Sequence, residues 1–391
     1  MTVRAGQRNA VLVAHPSAEL YGSDRVLLES VRGLKEGGAR VVVTVPAEGP
    51  LVSELLECGA EVVLCRTVVL RKALLSPRAL PMLLPACVAA TGRMLVLLRR
   101  LKPQSVYVST LTLPLWSVLP RLLGLRVVAH VHEGEDSARP LVKRAMAAPL
   151  LFASRILVNS RFSEAVLHAA QPRLRRRTTV VDNAVPGPSA PLPLRQEVRG
   201  DARITYVGRL AHRKGVDVAV AAFAELRAAG SAACLDIVGA VYPGNEGYEE
   251  QLRQTIRDLG LQDSVHFHGF QPDVWPYLAK ADIVLVPSRV DEPFGNTAVE
   301  AMLAGRPAVV SDTSGLREAA GKYGSVRLVP PSDPLAIAEA VEKMLAQWDR
   351  YSDLATEDAV LAASRHSPEL YRSRIATLLL PSDGSFAKGK V

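Results

Sequence analysis

Short apolar runs alternate with longer amphipathic stretches along most of this chain. Ala10–His15 is an apolar run of the kind that forms a buried strand. Ser23–Lys35 carries the apolar spacing of a helix, and Gly37-Gly38 ends it. Arg40–Pro46 reads as the next strand, Leu51–Glu57 as a helix and Glu61–Cys65 as a third strand. This β-α-β-α-β alternation predicts a parallel, doubly wound sheet. Strands recur at Ser105–Ser109, Arg126–Val131 and Arg155–Asn159. Pro186, Pro188, Pro191 and Pro193 then mark a linker. A second alternating set follows. Its strands are Arg203–Val207, Cys234–Gly239, Ser264–His268, Asp282–Val286 and Ala308–Ser311; its helices include Val216–Ala229 and Glu246–Leu259. Asp333–Leu380 reads as mostly helical. The expected class is α/β, with two doubly wound parallel-sheet (Rossmann-like) domains, 1–185 and 186–366, facing across a cleft where a ligand would bind.

A chain of 391 residues, 48% hydrophobic, is long enough for two such cores. Its charge is uneven. Residues 1–185 hold 25 Lys+Arg against 13 Asp+Glu, a net +12, whereas residues 186–391 hold 22 against 26, a net −4. A basic first half suggests an anionic partner. With 5% aromatic residues and no nucleic-acid motif, a membrane surface fits better than nucleic acid. The four cysteines, Cys58, Cys65, Cys87 and Cys234, have no CxxC spacing and lie in apolar surroundings, which suggests reduced thiols in a cytoplasmic protein. Met1–Asn9 is polar with no apolar core after it, so no secretory signal is expected.

Leu70–Leu101 mixes Leu, Val and Met with Arg71, Lys72, Arg78, Arg93, Arg99 and Arg100, and Lys102 follows. Its longest charge-free piece, Ala79–Gly92, has 14 residues and carries Pro81 and Pro85, too short and too broken to span a bilayer. Two readings stand: a basic, apolar-rich segment lying in the membrane interface, or a core helix with snorkelling arginines.

Candidate chemistry concentrates at two strand ends of the second half. Residues 287–311 read PSRVDEPFGNTAVEAMLAGRPAVVS. Glu292 falls on the loop after a strand, and Glu300 is expected in the first turn of the helix that follows. In open α/β sheets ligands bind in that crevice, and a helix start suits a phosphate. Carboxylates there can accept hydrogen bonds from sugar hydroxyls. Thr297-x-x-Glu300 also reads as a capping box, which would make Glu300 structural. Residues 203–215 read RITYVGRLAHRKG, where Gly208 allows close backbone approach and Arg209 and Lys214 could hold a diphosphate. The GxGxxG fingerprint is absent, which argues against a nicotinamide enzyme, and no His or carboxylate cluster has metal-ligand spacing.

Together the GRL…KG run at 208–215, the Glu292-x7-Glu300 pair and the ADIVLVPS strand before it resemble the family 4 retaining glycosyltransferases, which have the GT-B fold. Val181-Asp182-Asn183-Ala184 looks like that family's strand-end Asn-Gly, with Ala184 in place of Gly. The resemblance implies that Arg209 and Lys214 bind the donor diphosphate, that Glu300 takes the ribose and that Glu292 takes the donor sugar. It also brings the Phe294-Gly295-Asn296-Thr297 stretch to the donor and Gly239 near the base. In the HVHEGED run at 130–136, His132 is the better match to a histidine facing the donor sugar, with His130 as the alternate. Near Gly22 the family has Gly-Gly; here Tyr21-Gly22 stands, with Gly22 still able to approach donor or acceptor closely. The resemblance also implies a last helix, 367–391, packed back on the first domain, with Leu370, Ile375 and Leu378–Leu380 supplying an apolar face to bury.

The expectation is therefore a retaining, metal-independent glycosyltransferase with no cofactor beyond a UDP- or GDP-linked sugar. Its acceptor is expected to be a glycan or lipid-linked glycan, and its place the cytoplasm, peripheral to the inner face of the cell membrane. The alternatives are a nucleotide-sugar epimerase of the same fold and a non-catalytic membrane-associated scaffold.

Overall fold

The computed structural model describes residues 10–70, 80–134, 139–242 and 244–380. Within them the chain forms two compact units. One runs to Ala184 and takes in the stretch from Pro368; the other is Val185–Ser367.

In the first unit the elements are β1 (Ala10–Ala14), α1 (Gly22–Glu36), β2 (Arg40–Val45), α2 (Pro50–Glu57), β3 (Glu61–Leu64), α3 (Leu80–Leu101), β4 (Ser105–Val108), α4 (Pro114–Leu122), β5 (Arg126–Val131), α5 (Pro140–Ala147), β6 (Arg155–Val158), α6 (Arg161–Ala170) and β7 (Thr178–Val180). The strands pair in the order β3-β2-β1-β4-β5-β6-β7, every pairing parallel. Parallel neighbours need crossovers, and the crossover helices cover both sheet faces. That is why β1 can read AVLVA with all five residues buried. Val11 and Val13 enter one apolar layer and Leu12 and Ala14 the other.

The second unit contains β8 (Ala202–Val207), α7 (Val216–Ala228), β9 (Ala233–Val238), α8 (Glu246–Asp258), β10 (Val265–Gly269), α9 (Trp275–Leu278), β11 (Ile283–Val286), α10 (Asn296–Leu303), β12 (Ala308–Ser311), α11 (Ser314–Ala320), β13 (Val326–Val329), α12 (Pro334–Ala346) and α13 (Trp348–Arg365). Its sheet order, β10-β9-β8-β11-β12-β13, is again all parallel. In both sheets the chain builds outward on one side of the first strand and then crosses to the other side. Each sheet therefore has a switch point, between β1 and β4 in one and between β8 and β11 in the other.

The basic, apolar-rich segment is helical over Leu80–Leu101; Arg71, Lys72 and Arg78 lie outside the described residues. Ala90, Met94 and Leu98 recur every fourth residue and are buried in the first unit's core. Leu84, Val88 and Val96 are 73%, 69% and 67% exposed, and Arg99 and Arg100 are exposed with them. So α3 has a core face and an apolar, basic outer face. Among the described residues no helix is long and apolar enough to cross a membrane.

The last helix, α14 (Pro368–Leu379), belongs to the first unit and packs on α1. Its buried row is Tyr371, Ile375 and Leu379. The apolar face read from the sequence included Leu370, which is instead 64% exposed: it sits one residue off a row that repeats every four. Arg372 pairs with Glu29 at 2.6 Å and Glu36 at 3.0 Å, and Arg126 donates to the carbonyls of Leu378 and Leu379 at 2.7 and 3.0 Å. The latter bonds close carbonyls that a helix end leaves open.

Replacing Ile375 by Ala should destabilise the first unit by about 2–5 kcal/mol, because it opens a cavity beneath α14. Leu370→Ala should stay within about 0.5 kcal/mol of the parent. Urea unfolding of both variants checks this, and equal effects would contradict the packing.

Candidate active site

At the second unit's switch point two loops leave adjacent strands. Gly208–Lys214 follows β8 and Pro287–Gly295 follows β11. The Arg289 N–H donates to the Arg213 carbonyl at 3.0 Å and ties the loops together. A short 3-10 turn, His212–Lys214, then aims Lys214 across the gap. Lys214 Nζ lies 2.9 Å from Glu292 Oε1, Arg213 approaches the same oxygen at 3.6 Å, and Ser288 Oγ donates to it at 3.0 Å. Glu292 is 5% exposed. Burial raises its pKa, but Lys214 and then Arg213 lower it more, so the carboxyl lies below its ordinary range and stays ionised at neutral pH. Beside the pair is a small recess, lined among others by Lys214, Ser288, Glu292, Gly295 and Thr297.

Two glycines let this edge of the sheet close up. A Cβ on Gly315, at the start of α11, would fall 1.8 Å from the Glu292 carbonyl oxygen; one on Gly239, just past β9, would fall 1.9 Å from the Gly208 carbonyl. Gly239 is thus required by the approach of two strand ends, whatever else passes nearby. Gly295 and Thr297 share the recess with the ion pair, and Asn296 begins α10. The Phe294 ring is 4% exposed and meets the edge of His366 at 5.6 Å, so that side chain serves the core. Arg209 is exposed, with its guanidinium 5.7 Å from the centre of the Tyr242 ring.

Glu300 departs from its expected position. The N-cap of α10 is Gly295, in the left-handed region, and the helix starts at Asn296. Glu300 is therefore the fifth helical residue, past the first turn, and Thr297 lies inside the helix where it cannot cap a box with Glu300. By propensity the helix starts at Ala298, the first good helix former after the turn. A glycine with positive φ started it earlier.

In the first unit Gly22 opens α1, and the Asp24 carboxylate accepts the Tyr21 N–H at 2.8 Å. His15, just past β1, holds Ser109 Oγ with Nδ1 at 2.6 Å and Asp24 Oδ1 with Nε2 at 2.7 Å. His130 and His132 share a face, as strand alternation requires, with ring centres 4.0 Å apart. They differ in setting. His130 is fully buried with Nδ1 2.7 Å from Tyr107 Oη, whereas His132 lies beyond the end of β5 and is half-buried. Burial, and then His15, push the His132 pKa down to about 3, so its ring is neutral at pH 7. Its Nδ1 has no hydrogen-bond partner among the described residues. Glu133 accepts the His132 backbone N–H at 3.0 Å and a bond from the Thr110 hydroxyl, fixing the turn that carries His132.

The family model described as Glycosyltransferase Family 4 matches residues 21–186, and that described as Glycosyl transferases group 1 matches residues 195–358. The chain belongs to the family 4 glycosyltransferases. It is 34% identical over 148 residues to the 2-deoxystreptamine glucosyltransferase of Streptomyces kanamyceticus, an alignment covering 37% of each chain. It is 30% identical over 185 residues to the lipopolysaccharide 1,2-N-acetylglucosaminetransferase of Salmonella typhimurium, covering 45% of this chain and 48% of that one. The chain thus spans less than half the length of these curated relatives. Anabaena HepE, solved in complex with UDP and glucose, is similar at TM-score 0.80 and 20% identity over 95% of this chain and 99% of that one; the likeness shows a shared GT-B fold.

Several polar side chains of this family 4 glycosyltransferase escaped sequence reasoning. Arg213 and Ser288 both reach Glu292, and His15 and Ser109 meet at the first unit's switch point. The signal available was position: each lies within a few residues of the end of a strand that flanks a switch.

The depressed Glu292 pKa has a consequence for stability. A carboxyl with a native pKa below its unfolded value stabilises fully above the unfolded value of ~4.3, and that contribution is lost as pH falls through the native value. In Lys214→Met burial should dominate and raise the Glu292 pKa above its unfolded value, so the sign should reverse: the variant should be less stable than the parent at neutral pH and should lose less stability on acidification. Unfolding midpoints measured from about pH 3 to 7 check this, and superimposable acid limbs in parent and variant would contradict it.

Proposed function

We propose that this chain is a retaining glycosyltransferase that moves a sugar from a UDP- or GDP-linked donor to a glycan or lipid-linked glycan, in the biosynthesis of a polysaccharide at a membrane surface. The observation that carries the reading is the 2.9 Å Lys214–Glu292 pair, poised between two strand ends beside the start of α10. Lys214 can turn its remaining N–H bonds to a diphosphate while Glu292 accepts a hydroxyl of the donor sugar. Arg209, exposed on the same loop, adds a second cation. These charges meet the negative charge that grows on the departing diphosphate, an electrostatic role that needs no metal ion. Gly295, Asn296 and Thr297 offer backbone N–H groups at the helix start, and Glu300 accepts ribose hydroxyls from further along α10.

In the reaction, the bond from the anomeric carbon to the diphosphate oxygen breaks. The acceptor hydroxyl oxygen bonds to that carbon on the same face and its proton passes to the leaving phosphate oxygen, which retains the configuration. His132, neutral at pH 7, hydrogen-bonds a hydroxyl of the donor sugar. The HepE complex with UDP and glucose supports a nucleotide-sugar donor, and the lipopolysaccharide-modifying relative supports a lipid-linked acceptor. The outer face of α3, with Leu84, Val88, Val96, Arg99 and Arg100, supports attachment to an anionic bilayer.

Thermal shift against a panel of nucleotide sugars should identify the donor. With that donor, Lys214→Ala and Arg209→Ala should each lower turnover by ~10²–10³ while leaving the fold intact, as loss of one charge-stabilising donor does. Near-parental turnover in both would refute the assignment.

The parent should sediment with vesicles containing anionic lipid, release as salt screens the charge, and bind less when Arg99 and Arg100 become Gln. Equal, weak binding to anionic and neutral vesicles would point to a soluble acceptor instead.

A further inference from the structure

A row of buried hydroxyls leads from the last helix to the histidine pair. Tyr371 Oη of α14 lies 2.7 Å from Ser30 Oγ of α1. Ser30 Oγ lies 3.3 Å from Tyr107 Oη of β4, which is 2.7 Å from His130 Nδ1 of β5. The His130 ring in turn lies against His132, 4.0 Å between centres and tilted by 38°. Tyr371 is 4% exposed, and Ser30, Tyr107 and His130 are 0% exposed. The four residues come from four elements, and Tyr371 is 341 positions from Ser30.

Such a row is costly to bury unless each polar group has a partner. An apolar side chain of similar size at Tyr371 or Tyr107 would fill the same space. The hydroxyls therefore need a reason beyond packing. Burial keeps the His130 imidazole neutral, so it has one N–H and one bare nitrogen. The bond between Nδ1 and the Tyr107 hydroxyl then holds its ring plane. His130 Nε2 has no partner among the described residues, so the Tyr107 bond is the polar contact that holds the ring. A ring held in one plane presents one surface to the ring stacked on it.

We infer that Tyr107 and His130 are positioning residues for His132, and that Tyr371, through Ser30, couples the last helix to that histidine. This rests on the proposed role of His132 at the donor sugar. The last helix thereby does more than cover apolar surface on α1: it carries the outermost group of a hydrogen-bonded row whose inner end supports a reacting-site side chain. A misplaced catalytic group costs rate and spares binding, because the geometry at the reacting atoms is what changes.

Tyr107→Phe and Tyr371→Phe test this, with Ile375→Val as a control that loosens α14 without touching the row. In ¹⁵N-histidine-labelled protein, both Phe variants should shift the imidazole ¹⁵N resonances of His130 and His132, and Ile375→Val should not. With the donor found above, both Phe variants should lower kcat on the order of tenfold at unchanged donor KM. Unmoved His132 resonances in Tyr107→Phe would overturn the inference, and so would the same shift in Ile375→Val. The resonances decide the matter even if no donor is turned over, so failure of the coupling and failure of the transferase reading are told apart.

Discussion

Both units depend on the constraint that parallel strands cannot be joined by tight turns. Every strand must be followed by a crossover, and the crossovers cover both faces of the sheet. When the chain has built outward from its first strand it must cross to the other side, and at that point two loops part. In the second unit the parting loops follow β8 and β11 and carry Lys214 and Glu292. In the first they follow β1 and β4 and carry His15 and Ser109. The same rule thus gathers polar side chains at one edge of each sheet, where the backbone groups at strand ends are free to be shaped by side chains.

What stands at the edge is decided by electrostatics. A carboxylate as buried as Glu292 would ordinarily shed its charge, but Lys214, Arg213 and Ser288 converge on one of its oxygens and keep it ionised. His132 shows the opposite outcome. It is half-buried, and burial and then His15 push its pKa down, so it stays neutral. One edge therefore offers a fixed charge pair and the other a neutral donor and acceptor.

The last helix joins packing, charge and hydrogen bonding within the first unit. Its apolar row buries against α1, its arginine joins Glu29 and Glu36, and its tyrosine enters the hydroxyl row that ends at His130. A single element contributes to packing, to charge pairing and to a buried polar network.

Much of the fold was legible in the residues because doubly covered strands are nearly continuous apolar runs. AVLVA and RVVVTV announce β1 and β2, and the helices between them show their own spacing. Weak patterns escaped: β7 and β13 are short, half-buried edge strands without such a run. At the candidate site the sequence determined residue types and their distance from strand ends. Spacing alone put Glu300 in a first turn and Leu370 on a buried face; the first failed because a positive-φ glycine starts α10 before the run of good helix formers, the second because one residue of register moves a side chain by 100° around a helix. Only the tertiary structure decided that Lys214 meets Glu292, that Gly239 crowds Gly208 and that Tyr371 reaches Ser30. Local spacing encodes secondary structure, whereas contacts between residues tens or hundreds of positions apart are set by how crossovers and helices stack, and no single stretch of sequence contains that information.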